Sequence, residues 1–165
     1  MAVFSINLEH GDVYQWDLET RTCIKRWNDQ AAINPSSIAI SINNSFIATG
    51  SSSGVVNLYN AKSCLGTESS SNPDPLKSFM NLSTPINQVL FHPSNLVMAY
   101  SSSTKKDSLK LCHVDSQSVF SNWPTANTPL GYVQCMDFSP NGGYFGVGND
   151  KGVALLFKLK QFSDY

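Results

Sequence analysis

The chain has 165 residues, of which 41% are hydrophobic and 11% aromatic, enough to build a buried core and unlike a disordered tail. Its 11 Lys and Arg against 12 Asp and Glu leave a formal charge of -1, so no global field favours a phosphate backbone, which argues against a basic nucleic-acid clamp. No apolar run approaches the roughly 18 residues of a membrane-spanning helix, and no basic segment precedes the short apolar stretch near Met1, so the chain reads as soluble and intracellular.

Taken in chain order, the predicted elements repeat. A short strand from Val3 to Leu8 leads into GDVYQWD (11–17), and a weaker strand follows from Thr22 to Trp27. SIAISINNSFIATG (37–50) then forms a hairpin, followed by GVVNLYN (54–60) and a weak strand from Leu76 to Asn81. QVLFHPSNLVMAYS (88–101), DSLKLCH (107–113) and Ser118 to Ser121 repeat that order, and CMDFSPNGGYFGVG (135–148) with GVALLFK (152–158) starts it once more. Turn formers such as Pro93, Asn95, Pro140 and Gly142 split each hairpin, and Gly11, Gly54 and Gly152 open the third strands with the freedom to take positive φ.

Four strands every ~40–45 residues is the arithmetic of a WD-type propeller blade. Inner runs such as Val89-Leu90-Phe91 and Ala154-Leu155-Leu156-Phe157 are continuously apolar, as strands packed on both faces require. A two-sheet sandwich also uses many short strands but does not explain the repeated order of strand types. The expected fold is all-β: an incomplete WD-repeat β-propeller of about three and a half four-stranded blades, with 37–41, 87–91 and 134–138 innermost. Its expected divisions are 1–29, the end of a truncated blade; 30–83; 84–124; and 125–165, a last blade without its fourth strand. Closed propellers have typically about 4–8 blades, so the chain reads as the C-terminal half of a longer one.

Several of these segments carry a more specific likeness. MDFSPNGGYFGVGNDKG (136–152), Phe162-Ser163-Asp164-Tyr165, GDVYQWD, GVVNLYN and Phe120-Ser121-Asn122-Trp123-Pro124 together resemble the C-terminal region of the U3 small nucleolar RNA-associated protein 18 family. These are WD-repeat components of the small-subunit processome. The resemblance covers essentially the whole chain and is most specific in the last 30 or so residues. It implies a non-catalytic interaction scaffold in the nucleus and nucleolus, acting in ribosomal RNA precursor processing with the U3 ribonucleoprotein. Its implied partners are other processome proteins, WD-repeat subunits among them, with U3 ribonucleoprotein and precursor RNA contacted mostly indirectly. The alternative is a generic WD-repeat adaptor in another intracellular complex.

One departure from the WD pattern bears on stability. The usual buried network runs from an Asp just before the turn glycine to a His, a Ser or Thr, and the Trp of the third strand. The pre-glycine positions here hold His10, Ser53, Lys106 and Lys151, and the Trp position holds Trp16, Tyr59, Cys112 and Phe157. Blade stability is therefore expected to rest mainly on apolar burial.

Residues able to carry chemistry each have a plainer reading. Cys23, Cys64, Cys112 and Cys135 form no C-x-x-C pair and read as free thiols, with Cys135 packed inside an apolar strand. His10, His92 and His113 lack metal-ligand spacing and read as surface or turn residues. Asp12, Asp17, Asp137 and Asp150 stand beside turns that their side chains can cap. The glycines at 142, 143, 146 and 148 belong to a hairpin with no helix after it, so a phosphate loop is not expected. No catalytic, cofactor-binding or metal-binding residue is expected, nor a cofactor, small-molecule substrate or membrane partner. Three polar segments are candidate contact surfaces: KSCLGTESSSNPDP (62–75), Ser101 to Asp107, and Asn122 to Pro129 with its loop aromatic Trp123.

Overall fold

In the computed structural model, described for residues 2–7, 10–30, 32–65 and 71–160, the chain forms four antiparallel sheets, one after another along the sequence. Leu8 of the first expected strand and Phe162 to Tyr165 lie outside the described residues. The first sheet contains β1 (Ala2–Ile6), β2 (Asp12–Asp17) and β3 (Thr22–Asn28). The second contains β4 (Pro35–Ile40), β5 (Phe46–Ser51), β6 (Val56–Asn60) and β7 (Lys77–Phe79), with the single-turn helix α1 (Ala61–Leu65) between β6 and β7. The third contains β8 (Gln88–Phe91), β9 (Val97–Ser101), β10 (Leu109–His113) and β11 (Ser118–Val119). The fourth contains β12 (Val133–Phe138), β13 (Tyr144–Asn149) and β14 (Ala154–Lys158). Within every sheet, strands adjacent in sequence are hydrogen-bonded neighbours, the meander of a propeller blade.

Period-two alternation explains how the sheets stack. On β9 and β10, Met98, Tyr100 and Cys112 join a core shared with Ala48, Val56 and Leu58 of the second sheet. Their neighbours Val97, Ala99, Leu109 and Leu111 turn the other way, onto Val133, Met136, Phe145 and Val147 of the fourth sheet. Successive side chains of a strand point to opposite faces, so a blade with sheets on both sides needs apolar residues at consecutive positions. In β6 the same alternation sends Val56 and Leu58 toward the third sheet and Tyr59 toward the first, where it meets Trp27 edge to face at 5.0 Å. In β14, Leu155 and Phe157 pack inward, whereas Leu156 is 71% exposed because no described residue covers that face.

Turn geometry repeats with the blades. Asn44, Asn95 and Gly142 stand at equivalent places in the first hairpins, all at positive φ, and each amide binds the carbonyl three residues earlier (Ser41, His92 and Ser139) at 2.8 Å. Before the third strands the positive-φ residue is Gly11, Gly54, Asp107 or Gly152, so Asp107 fills a glycine's place in the third blade.

Two expectations are corrected. Cys135 is exposed: an irregularity between Val133 and Cys135 takes it off the face of Val133, and it lies opposite Met136, on the uncovered side of the last sheet. The expected minor role for a polar network is also overturned in the second blade. Asp29, buried in the connection from β3 to β4, accepts hydrogen bonds from the Thr49 hydroxyl, from Asn57 Nδ2 at 3.1 Å and from Tyr59 O–H at 2.5 Å. The carboxylate comes from the connection between blades rather than from the turn before β6, so a search at the pre-glycine position misses it. Burial, with Asp29 beside it, pushes the Tyr59 phenol far above its usual range and keeps it a donor.

A polar cleft on the rim between the last two blades

One rim of the arc carries both the turns before third strands and the connections between blades. Backbone bonds join the two sets: Ser52 N–H to Asn34 O at 3.0 Å, Ile86 N–H to Ser51 O at 3.0 Å, Asp107 N–H to Gly131 O at 2.8 Å and Asp150 N–H to Tyr132 O at 3.1 Å. Each connection is thereby fixed to a turn, which makes this rim a rigid platform.

Two of the three polar segments meet there. Lys106 and Asp107 from the turn before β10, residues 126–129 and Gly131 from the connection into β12, and Asn149, Lys151, Val153 and Leu155 around the turn before β14 line one cleft of about 400 Å³. Its wall is held in three ways. Trp123 packs edge to face on Phe145 and Phe157, with centroids 6.0 and 5.1 Å apart. Leu130 is fully buried in the core between the last two blades, and the Gly131 amide donates to Asp107 Oδ1 at 2.9 Å. Within the wall, Thr128 Oγ1 accepts the Thr125 amide at 3.1 Å. Trp123 is therefore an anchor on the following blade, and the surface it supports, more than its own ring, is what faces outward.

The electrostatics of the cleft follow from which groups are already engaged. Asp107 and Asp150 each direct a carboxylate oxygen at a backbone amide, of Gly131 and Tyr132 respectively. Among the described residues the one ion pair joins Arg26 and Asp12 at 2.6 Å, on the first blade, so neither Lys106 nor Lys151 is paired. Asn149 Oδ1 accepts the Lys151 and Val153 amides, both at 3.1 Å, which leaves its amide nitrogen to donate. The lining thus carries two ammonium groups against one carboxylate, that of Asp107, with carboxamide and hydroxyl groups beside the apolar Pro129, Val153 and Leu155.

The remaining candidates lie elsewhere. The segment 62–75 begins as α1 and not as a loop; residues 66–70 lie outside the described residues, and the Ser71 carbonyl accepts the Asn28 amide at 2.8 Å on the first blade. There Asp12 holds Arg26 and, at 3.1 Å, Asn28, and the Arg26 hydrogen bond above all keeps its carboxyl below the usual carboxylate range. Asp17 caps its turn through the Glu19 amide and the Thr20 hydroxyl, and its carboxyl is likewise lowered. His113 caps a turn with Ser116. His92 occupies a turn but is buried: Nδ1 accepts the Ser94 amide at 3.0 Å, which leaves Nε2 to donate to Gly142 O on the next blade at 2.8 Å. Burial raises the Cys64 thiol to about 11 and Cys112 to about 12. No group of three or more His, Cys, Asp or Glu side chains converges as a metal site among the described residues.

Comparison with known proteins places this architecture. A family model described as "WD domain, G-beta repeat" matches residues 21–60, which run from the outer strand β3 through β4, β5 and β6 and include the Asp29 network. Among solved structures, the Cps50 (Swd1) β-propeller domain of Myceliophteria thermophila superposes with a TM-score of 0.72 at 14% identity, covering 98% of this chain and 49% of that one. That likeness is one of fold. The mouse U3 small nucleolar RNA-associated protein 18 homolog is 44% identical over 158 residues, covering 95% of this chain and 28% of the relative. The human homolog is 42% identical over 94% of this chain and 28% of its own length. The Saccharomyces cerevisiae protein of that name is 37% identical over 93% of this chain and 28% of its own length. The chain therefore spans little more than a quarter of the length of these curated relatives. In fold the chain is an incomplete WD-repeat β-propeller, and in sequence it is similar, over nearly its whole length, to part of proteins named U3 small nucleolar RNA-associated protein 18.

Proposed function

We propose that this chain contributes a rigid, non-catalytic interaction surface to a scaffold of the small-subunit processome, which acts in the nucleolus on precursor ribosomal RNA together with the U3 ribonucleoprotein. The observation that carries this reading is 44% identity sustained over 158 residues with a protein named for U3 small nucleolar RNA association. The composition adds a physical reason to favour contacts through proteins. With a net charge of -1 the chain neutralises few phosphates, so any affinity for naked RNA is weak and its salt-dependent part small. Its partners are other processome proteins, and U3 RNA is reached through them. Precipitation of the tagged full-length protein, followed by probing for U3 RNA, tests the reading, and depletion should make early small-subunit precursors accumulate. Absence of U3 RNA from the precipitate, with normal precursor processing, would overturn it in favour of a WD-repeat adaptor in another complex.

A further inference from the structure

The rim cleft between the last two blades is a preformed site whose chemistry selects a partner. Lys106 and Lys151 occupy equivalent positions, immediately before the positive-φ residue of successive turns, and both line the cleft without an ion-pair partner among the described residues. The same position in the first two blades holds His10 and Ser53, so the two lysines occur only where the blades frame this cleft. The acid of the lining, Asp107, holds the Gly131 amide and leaves the two lysines in excess, and the wall is anchored by Trp123 and Leu130, so little ordering is needed on binding.

We infer that this cleft binds a short acidic segment of a partner protein, with one or two carboxylates on Lys106 and Lys151 and an adjacent aliphatic side chain against Pro129, Val153 and Leu155. Two features favour a peptide over a nucleic acid. Among the described residues the lining contains no aromatic ring on which a base could stack, and Pro129, Val153 and Leu155 interrupt the continuous basic track that a groove for phosphates would need. Asn127, Thr128 and the Asn149 amide nitrogen supply the polar groups that an extended backbone requires. The inference deepens the scaffold reading above but is read from binding alone, so it stands or falls separately from U3 association.

The test is selection of a randomised display library of peptides about ten residues long on the chain, with counter-selection on the double variant Lys106→Glu, Lys151→Glu. Both lysines are exposed, so the variant should melt like the parent. The peptides recovered should combine Asp or Glu with Leu, Ile or Val. In fluorescence anisotropy their affinity should drop about tenfold or more in the double variant, and should weaken with added salt. Arg26→Glu, on the first blade, should leave binding unchanged. Failure to enrich acidic peptides, or equal binding by the double variant, overturns the inference whether or not U3 RNA co-precipitates. Lysine-dependent binding of a labelled single-stranded RNA that is tighter than that of any peptide would overturn it in favour of a nucleic-acid site.

Discussion

Replacing Asp29 with Ala should be among the most damaging single changes in the second blade. The substitution removes a carboxylate and leaves the Thr49 hydroxyl, the Asn57 carboxamide and the Tyr59 phenol pointing into a space closed to solvent. A hydrogen bond to a charged group contributes about 1.5–3 kcal/mol and a buried donor left unsatisfied costs about 1–3 kcal/mol, so three orphaned neutral donors that partly relax cost about 4 kcal/mol together. Taking about 4 kcal/mol and a urea slope of about 2 kcal/mol per molar, the unfolding midpoint should fall by about 2 M. Tyr59→Phe deletes one of the three bonds and keeps the ring on Trp27, so it should cost only about 1–2 kcal/mol. In a double-mutant cycle the two changes should be strongly non-additive, because both remove the same bond. Urea denaturation followed by tryptophan fluorescence reads all of this, since Trp27 touches Tyr59 directly. An Asp29→Ala midpoint within the error of the parent, or strict additivity with Tyr59→Phe, would refute the assignment of this carboxylate as the hub of the blade.

Gly142→Ala should destabilise by about 2–3 kcal/mol, because φ is +74° and the added Cβ would stand 2.4 Å from His92 ring atoms; thermal melting reads it. Gln88→Ala deletes two bonds to the Met136 backbone, at 2.8 and 2.9 Å, and should accelerate amide hydrogen exchange in β12, with a loss of about 1–2 kcal/mol. Iodoacetamide at pH 8 should label Cys23 and Cys135 quickly, while Cys64 and Cys112, buried and held protonated, should react only on unfolding; mass spectrometry counts the adducts. The Asp12 carboxyl is lowered in the folded chain, so its contribution is present above the unfolded value near about 3.9 and lost as pH falls through the lower folded value. Asp12→Asn should therefore differ from the parent at neutral pH, and the two should converge in acid.

The blades were legible in the sequence because two patterns move in step: a hairpin with a turn former at its centre, and a third strand opened by a residue at positive φ. Both are local, and each rests on backbone geometry that few residues satisfy. Asp107 shows the limit of reading glycines alone, since an aspartate takes the same conformation there. The Asp29 network was illegible because its members are separated by 20 to 30 positions and its acid lies on a different connection from the one the repeat pattern points to. Cys135 was misplaced for a related reason: an apolar strand identifies two faces, but which face is covered depends on a neighbouring sheet. The cleft was half visible, as two polar segments whose meeting across the rim only the stacking of blades could reveal.

Several of the side-chain bonds between blades run the same way. Ser36 reaches forward to the Ile86 carbonyl, Gln88 to both backbone groups of Met136, His92 to the Gly142 carbonyl, and Asp107 to the Gly131 amide. In each pair the earlier blade supplies a particular side chain and the later one supplies only main chain. A descendant of this sequence could therefore exchange Ile86 or Met136 for residues of similar size without touching the bond, whereas a change at Ser36, Gln88, His92 or Asp107 removes it outright. The record of substitutions should be lopsided along the arc, with the forward-reaching positions held and the receiving Ile86 and Met136 free to drift in identity, while Gly131 and Gly142 are held by their own positive φ.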